Sequence, residues 1–269
     1  MDARLNLNGH LAGARDILLN MKRMAAVALF LVFIFPFGLE AKPAPGVSGT
    51  LSLVPGLGQL ANGDGLEGLG WFSASVGLLL LKDGTARKFG QNLWFYNMYD
   101  AYRDAGGSPA ARHGLLENYL GNLNPLYAFD IIGTPILALA AASPGNTASN
   151  KGAPRSIGLR AVYYSAVGTG EEALFRGFLF PAFSNGLGSK FVGAVLSSAV
   201  FSAAHGEGGG AFVVRFLGGL LFCWQVQMHN HDLRPSIFAH TWFDFLLTRK
   251  GNIKGEIEPG ILLKHTMEF

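Results

Sequence analysis

The chain has 269 residues, 49% of them hydrophobic and only 14% charged, against roughly 25% charged in soluble domains, so the composition is that of a membrane protein. Its net charge is +3 with the basic residues scattered along the chain, which excludes a basic face built for nucleic acid. The single cysteine, Cys223, excludes an intrachain disulfide framework and a cysteine-only zinc cluster, and on an apolar helix it reads as a small packing residue.

Residues 1–41 carry a basic flank, Met21-Lys-Arg23, an uncharged run from Met24 to Leu39, and Ala41 at a cleavage-like position. This is the grammar of a signal peptide, with an uncleaved amino-terminal membrane anchor as the alternative. Pro36 and the shortness of the run argue against the anchor, because a span needs about 20 residues.

Residues 42–142 read as a membrane hairpin region. After the Pro-rich joint Lys42-Pro-Ala-Pro-Gly46, a turn-rich segment from Leu53 to Asp64 leads into an apolar stretch from Leu69 to Leu81. No strand precedes its glycines and no Lys-Ser or Lys-Thr follows them, so they are not a nucleotide-binding loop. Gln91 to Ala105 mixes aromatic and polar residues at helical spacing, and is expected at a membrane interface, where Trp and Tyr collect. Residues 106–124 read as a loop. Leu126 to Ala142 is a candidate span, interrupted by Asp130 and Pro135, and so expected to pack against other helices.

Residues 143–156, rich in Pro, Gly, Ser and Asn, form the linker and the domain boundary. Beyond it four helical segments are expected, at about 159–185, 189–205, 209–228 and 235–249, separated by Gly-rich or polar turns. They make up a core over residues 157–250, followed by a polar tail over 251–269. The fold expected is all-α: a polytopic membrane protein with a four-helix core.

The polar residues inside these apolar helices carry the information. In Gly168-Thr-Gly-Glu-Glu-Ala-Leu-Phe-Arg-Gly-Phe-Leu-Phe-Pro181, Glu172 and Arg176 lie four apart and share a helix face. Glu171 points about 100° away, so one carboxylate is neutralised while the other faces a cavity. His205 ends the second helix, and His240 and Asp244 share a face of the fourth. Ionisable residues within membrane helices are functional candidates by default, and the competing reading is polar glue between helices.

The motifs Glu171-Glu172-x-x-x-Arg176, Phe201-x-x-x-His205 and His240-x-x-x-Asp244, in that order on successive helices, resemble those of the intramembrane CAAX protease and bacteriocin-processing (CPBP, Abi) family over roughly residues 157–250. The resemblance implies a membrane-embedded endopeptidase in which Glu171 and His205 activate water. It implies supporting roles for Glu172 and Arg176, and oxyanion or metal-binding roles for His240 and Asp244. Where the family's third motif often ends in asparagine, this chain has Asp244, which as a carboxylate cannot donate to an oxyanion but can orient His240 or bind a metal.

The chemistry runs the same way. Hydrolysis without a covalent nucleophile needs a base for water, an acid for the leaving amine and a partner for the oxyanion. Glu171, His205 and His240 meet these needs directly, or as three ligands of a divalent metal such as zinc with an open fourth position. A peptide or membrane-protein tail is the expected substrate and the lipid bilayer the expected partner, with the bacterial inner membrane as the location. The alternative is a catalytically inactive scaffold or binding protein that retains the polar cluster.

Weaker candidates are the rhomboid-like Gly46-Val-Ser-Gly49, the loop group His229, His231 and Asp232 as a metal site, Arg215 and Gln225 as cavity-lining residues, and Glu207 as a solvated turn residue.

Overall fold

The computed structural model describes residues 42–107, 113–143, 154, 156–206 and 209–253, with side chains through Thr248. The signal or anchor segment, most of the interdomain linker, Glu207 and most of the tail lie outside the described residues. From Pro43 onward the chain forms one compact unit. Among the described residues it is all helical.

Two short helices, α1 (Pro45–Leu51) and α2 (Leu57–Ala61), precede the antiparallel pair α3 (Gly65–Leu79) and α4 (Gly84–Asp104). Asp83 starts α4 by accepting from the Ala86 amide at 2.7 Å, which satisfies one of the first-turn donors. The pair packs closely at Gly90, where a Cβ would meet the Leu79 nitrogen and the Ser75 carbonyl at 2.8 Å.

Helix α4 is the hub, and here the structure departs from the interfacial expectation. Tyr96, Tyr99 and Tyr102, spaced three apart, are all buried in the main apolar cluster with Phe175, Phe178, Phe201 and Ile237. On another face Asn97 and Asp100 are buried as well. The mixed aromatic and polar pattern therefore marks a helix enclosed by protein, with its polar groups paired internally.

The segment read as a loop holds α5 (Leu115–Leu120), whose start is held by Glu117 accepting from the Gly114 amide at 3.0 Å. The candidate span at 126–142 is broken. A 3-10 turn over Pro125–Phe129 stops at Asp130, and α6 (Gly133–Ala142) begins only afterwards. The Asp130 carboxylate takes the amides of Ile132 and Gly133 at 2.7 and 2.8 Å, which turns the chain and leaves a helix of about 15 Å, half a bilayer core.

The four carboxy-terminal segments appear close to their expected limits: α7 (Ile157–Glu172) running through a π-helical turn (Ala173–Leu179) into α8 (Phe180–Leu187), then α9 (Lys190–Ala204), α10 (Gly209–Met228) and α11 (Arg234–Ile253). Gly188 ends α8 in the left-handed region at φ 64°, and Ser189 caps α9 by accepting from Val192. Asp232 opens α11, its carboxylate accepting from the Arg234 amide and guanidinium. Burial pushes the Asp232 carboxyl up, but those hydrogen bonds outweigh it and hold it below the usual range.

Helix α10 is long and apolar enough to cross a membrane, with α6 and α9 as shorter apolar helices. Its 20 residues span about 30 Å, the thickness of a bilayer core. Helices α7 and α4 pack on one another, as do α7 and α11, and α9 and α10, so the amino-terminal hub and the carboxy-terminal helices share one core.

Candidate active site

Glu171 and Glu172 end α7, where the helix changes pitch. In the π turn the Phe180 amide bonds the Phe175 carbonyl five residues back, and such turns often mark functional sites. Successive residues on a helix diverge by about 100°, so the two carboxylates face different surroundings.

The Glu172 side is shut off from solvent. Its Oε1 accepts from Arg176 Nη1 at 3.0 Å and from His240 Nδ1 at 2.8 Å. Both charged side chains of the Glu172–Arg176 pair have no exposure at all. The Arg176 guanidinium lies 4.3 Å from the centre of the Phe201 ring and 5.2 Å from that of Phe222. A buried ion pair is costly to desolvate, and these ring faces and the histidine help to offset that cost.

The Glu171 side is different. Its Oε1 stands 3.5 Å from Lys88 Nζ on α4. Its Oε2 stands 3.8 Å from both His205 Nε2 and His240 Nε2, is buried, and has no hydrogen-bond partner in the protein. Asp244 Oδ2 lies 3.6 Å from the same His240 Nε2.

The histidine tautomers follow from what their other nitrogens touch. His205 Nδ1 meets the Phe201 carbonyl at 2.8 Å, and His240 Nδ1 meets the Glu172 carboxylate. Both partners only accept, so both Nδ1 atoms carry the proton. When neutral, each ring presents an Nε2 lone pair toward Glu171; His240, with Glu172 at Nδ1 and Asp244 near Nε2, is also placed to take a second proton. Phe201 stands edge-on to His205 with centres 4.7 Å apart, while Phe222 stacks on His240 at 5.5 Å. Acceptors gathered in this way make a seat for a proton-rich or positively charged group.

All six residues singled out by the three motifs, Glu171, Glu172, Arg176, His205, His240 and Asp244, thus meet in one place. The weaker candidates do not. Gln225 donates to Asp130 at 2.9 Å, and His229 bonds the same carboxylate, so both serve the turn before α6. His231 stacks on Phe180. Ser48 of the rhomboid-like stretch is buried in α1 against Asn62. Cys223 is buried and free, as its packing role requires.

Lys88 was invisible to this reasoning, because a lysine near a helix start looks like a topology signal. Asn92, one turn further along, is also new. A Cβ on Gly170 would meet its side chain at 2.6 Å, so this glycine lets α4 approach α7 beside Glu171.

For a metal, the donor types fit: one carboxylate oxygen and two imidazole nitrogens whose far sides are held by a carbonyl and a carboxylate, as metal-bound histidines usually are. Glu67, Asp100 and Asp104 bring ligand atoms within 4.8 Å of one another. Asp100 is already engaged by Gln59, Trp71 and Arg103, so that group carries no argument for an ion.

Beside the site, a cavity of about 370 Å³ opens between α4, α5 and α7, lined by Phe89, Leu93, Leu116, Tyr119, Ala166 and Gly170. It is apolar and reaches the residue before Glu171.

No curated protein and no solved structure matches the chain. Residues 154–246 match the family described as type II CAAX prenyl endopeptidase Rce1-like, so the carboxy-terminal part of the chain, which contains all six gathered residues, is similar to the CAAX-type membrane endopeptidases.

Proposed function

We propose that the chain is a multi-pass membrane endopeptidase that hydrolyses a peptide bond with water activated between Glu171, His205 and His240. The observation that carries this reading is the buried, unpartnered Glu171 Oε2 facing two imidazole nitrogens. Most buried polar atoms are paired, and this one instead faces the two side chains that water activation needs.

In the reaction, Glu171 Oε2 takes a proton from water as the water oxygen bonds to the scissile carbonyl carbon. The carbonyl oxygen gains negative charge, which His240 meets from Nε2 as an imidazolium, its two ring protons balanced by the Glu172 and Asp244 carboxylates. The C–N bond then breaks, and the proton goes to the departing amine by way of half-exposed His205. Glu172 and Arg176 hold His240 in place. A divalent ion held by Glu171, His205 and His240 would polarise the carbonyl and acidify the water, and Asp244 is near enough to serve beside them.

The apolar cavity beside Gly170 suits a large apolar group of the substrate. Peptides and membrane-protein tails are the proposed substrates. The matching family is described as a prenyl endopeptidase family, which makes a farnesylated peptide the natural comparison. Exposed Phe191, Val214, Leu217 and Trp224 on α9 and α10 support lipid contact around the core. The apolar amino-terminal run supports entry into a membrane, and a bacterial inner membrane is the proposed location.

The test is cleavage of a proteome-derived peptide library, and of CAAX-type peptides with and without a farnesyl group, by the full chain in liposomes. Cut sites are read by mass spectrometry. Glu171→Gln should abolish cleavage while the protein stays folded, and full activity in this variant would sink the reading. Dialysis against a chelator followed by zinc return separates the metal and metal-free versions. If neither wild type nor variant cuts anything and Glu171→Gln only shifts stability, the chain is a scaffold.

A further inference from the structure

Glu171 is one residue of a site whose motif partners all lie in residues 154–246, yet one of its two oxygens is committed to a group far outside that stretch. Lys88 Nζ stands 3.5 Å from Glu171 Oε1. We propose that Lys88 is a positioning residue of this site, resting on the endopeptidase reading above: its ammonium holds Oε1 and thereby turns Oε2 toward His205 and His240.

Three observations support a purpose beyond surface charge. The approach of α4 to α7 is built in, since a Cβ at Gly170 would strike Asn92 at 2.6 Å. Asn92 Nδ2 donates to the Lys88 carbonyl at 2.8 Å, which anchors the backbone from which the lysine extends. Phe89, the next residue, packs edge-on against Tyr163 of α7 with ring centres 6.5 Å apart. The lysine is thus delivered by a helix fixed to the one bearing its partner.

Electrostatics makes the contact useful. Around Glu171 Oε2 the protein supplies imidazole nitrogens that, when neutral, are acceptors, and Asp244 adds a further carboxylate nearby. A carboxylate among acceptors would swing away unless something held it. Lys88 is 29% exposed while Glu171 is 8% exposed, so the pair lies where solvent screens it only in part. The ammonium leaves Oε2 free, because it approaches the other oxygen. In consequence, the residues that match the endopeptidase family do not complete the site, and α4 of the amino-terminal half supplies the missing cation.

The experiment uses full-length protein in liposomes and a peptide that the wild type cuts in the library screen. Lys88→Met should lower kcat about 30- to 100-fold with KM changed less than about twofold, since a small misplacement of a reacting group costs about that much. Lys88→Arg should recover much of the loss. Lys88→Cys, made in a Cys223→Ala background, should be slow and should regain at least about tenfold in kcat after aminoethylation with bromoethylamine restores an ammonium at the same reach.

A simple structural ion pair would instead lower the thermal midpoint, leave kcat per folded molecule intact, and not respond to aminoethylation. Unchanged kcat in Lys88→Met overturns the proposal, and so does a loss that neither arginine nor aminoethylation reverses. Glu171→Gln runs alongside: if it retains full activity, the endopeptidase mechanism itself falls. If it is inactive while Lys88→Met is normal, only the role of Lys88 falls.

Discussion

Two buried polar clusters sit in this molecule, and they are resolved in opposite ways. In the amino-terminal half, Gln59, Asn97 and Asp100 close on one another: Asn97 Nδ2 donates to Gln59 Oε1 at 2.7 Å, Gln59 Nε2 reaches the Asn97 carbonyl and Asp100, and Asn97 Oδ1 takes the Gly56 amide at 2.9 Å. Trp71 and Arg103 complete the Asp100 carboxylate. Every side-chain polar atom of these three residues has a partner. In the Glu171 cluster the two glutamates and Arg176 are buried too, but Oε2 of Glu171, Oε2 of Glu172, and Nε and Nη2 of Arg176 have no hydrogen bonds. The first cluster is what polar glue between helices looks like. The second departs from it, and among its unpaired atoms Glu171 Oε2 is the one that a hydrolytic reaction would use.

Substitutions can sharpen that contrast. The largest effect is expected at Glu171: Glu171→Gln should lower kcat about a thousandfold, roughly 4 kcal/mol of transition-state stabilisation, with the thermal midpoint unchanged or raised. Parallel cleavage and melting curves check it, and a fall in midpoint with no loss of rate would return the site to the glue class. Next comes Arg176→Met, which strands Glu172 in an apolar wall and should destabilise the fold by about 3 kcal/mol, measured by denaturation in detergent.

In the closed network, Asn97→Ala should cost about 2 kcal/mol by removing the donor to Gln59 Oε1 and orphaning the Gly56 amide, while kcat per folded molecule stays normal. A lost rate there would erase the distinction between the clusters. The smallest effect is expected at Asp232, whose folded carboxyl is held below its ordinary range. Its contribution is present above that range and lost as pH falls through the depressed value. Asp232→Asn should therefore lower the thermal midpoint modestly near neutrality and flatten the acid end of the profile, the difference from wild type shrinking as pH falls, read from melting curves across pH.

Much of the site was legible because helices impose a period. Glu172 with Arg176 and His240 with Asp244 are each four apart, and the four carboxy-terminal segments show clear breaks at Gly188, Gly206 and the 229–233 turn. Lys88 was not legible, since 83 positions separate it from Glu171 and no local rule links them. Helix α4 was misplaced at an interface because alternating aromatics and amides suit either a lipid headgroup zone or a buried helix with its own hydrogen-bond network. The break in the run at 126–142 is not legible in hydropathy, which does not register that the Asp130 side chain captures the Ile132 and Gly133 amides and starts a separate helix there.

The π turn after Glu172 acts as a phase adjuster between two rods. Its wider turn delays everything from Phe180 onward by nearly one residue relative to a uniform α-helix, rotating α8 about the shared axis without lengthening the path by a full turn. Arg176 lies within the widened stretch, so the reach from guanidinium to Glu172 and the direction in which α8 hands the chain to α9, and so to His205, are set by one local change of pitch. Deleting Gly177 or Phe178 would restore the regular pitch and rotate one half of the assembly against the other, although every residue of the three motifs would still be present in the chain.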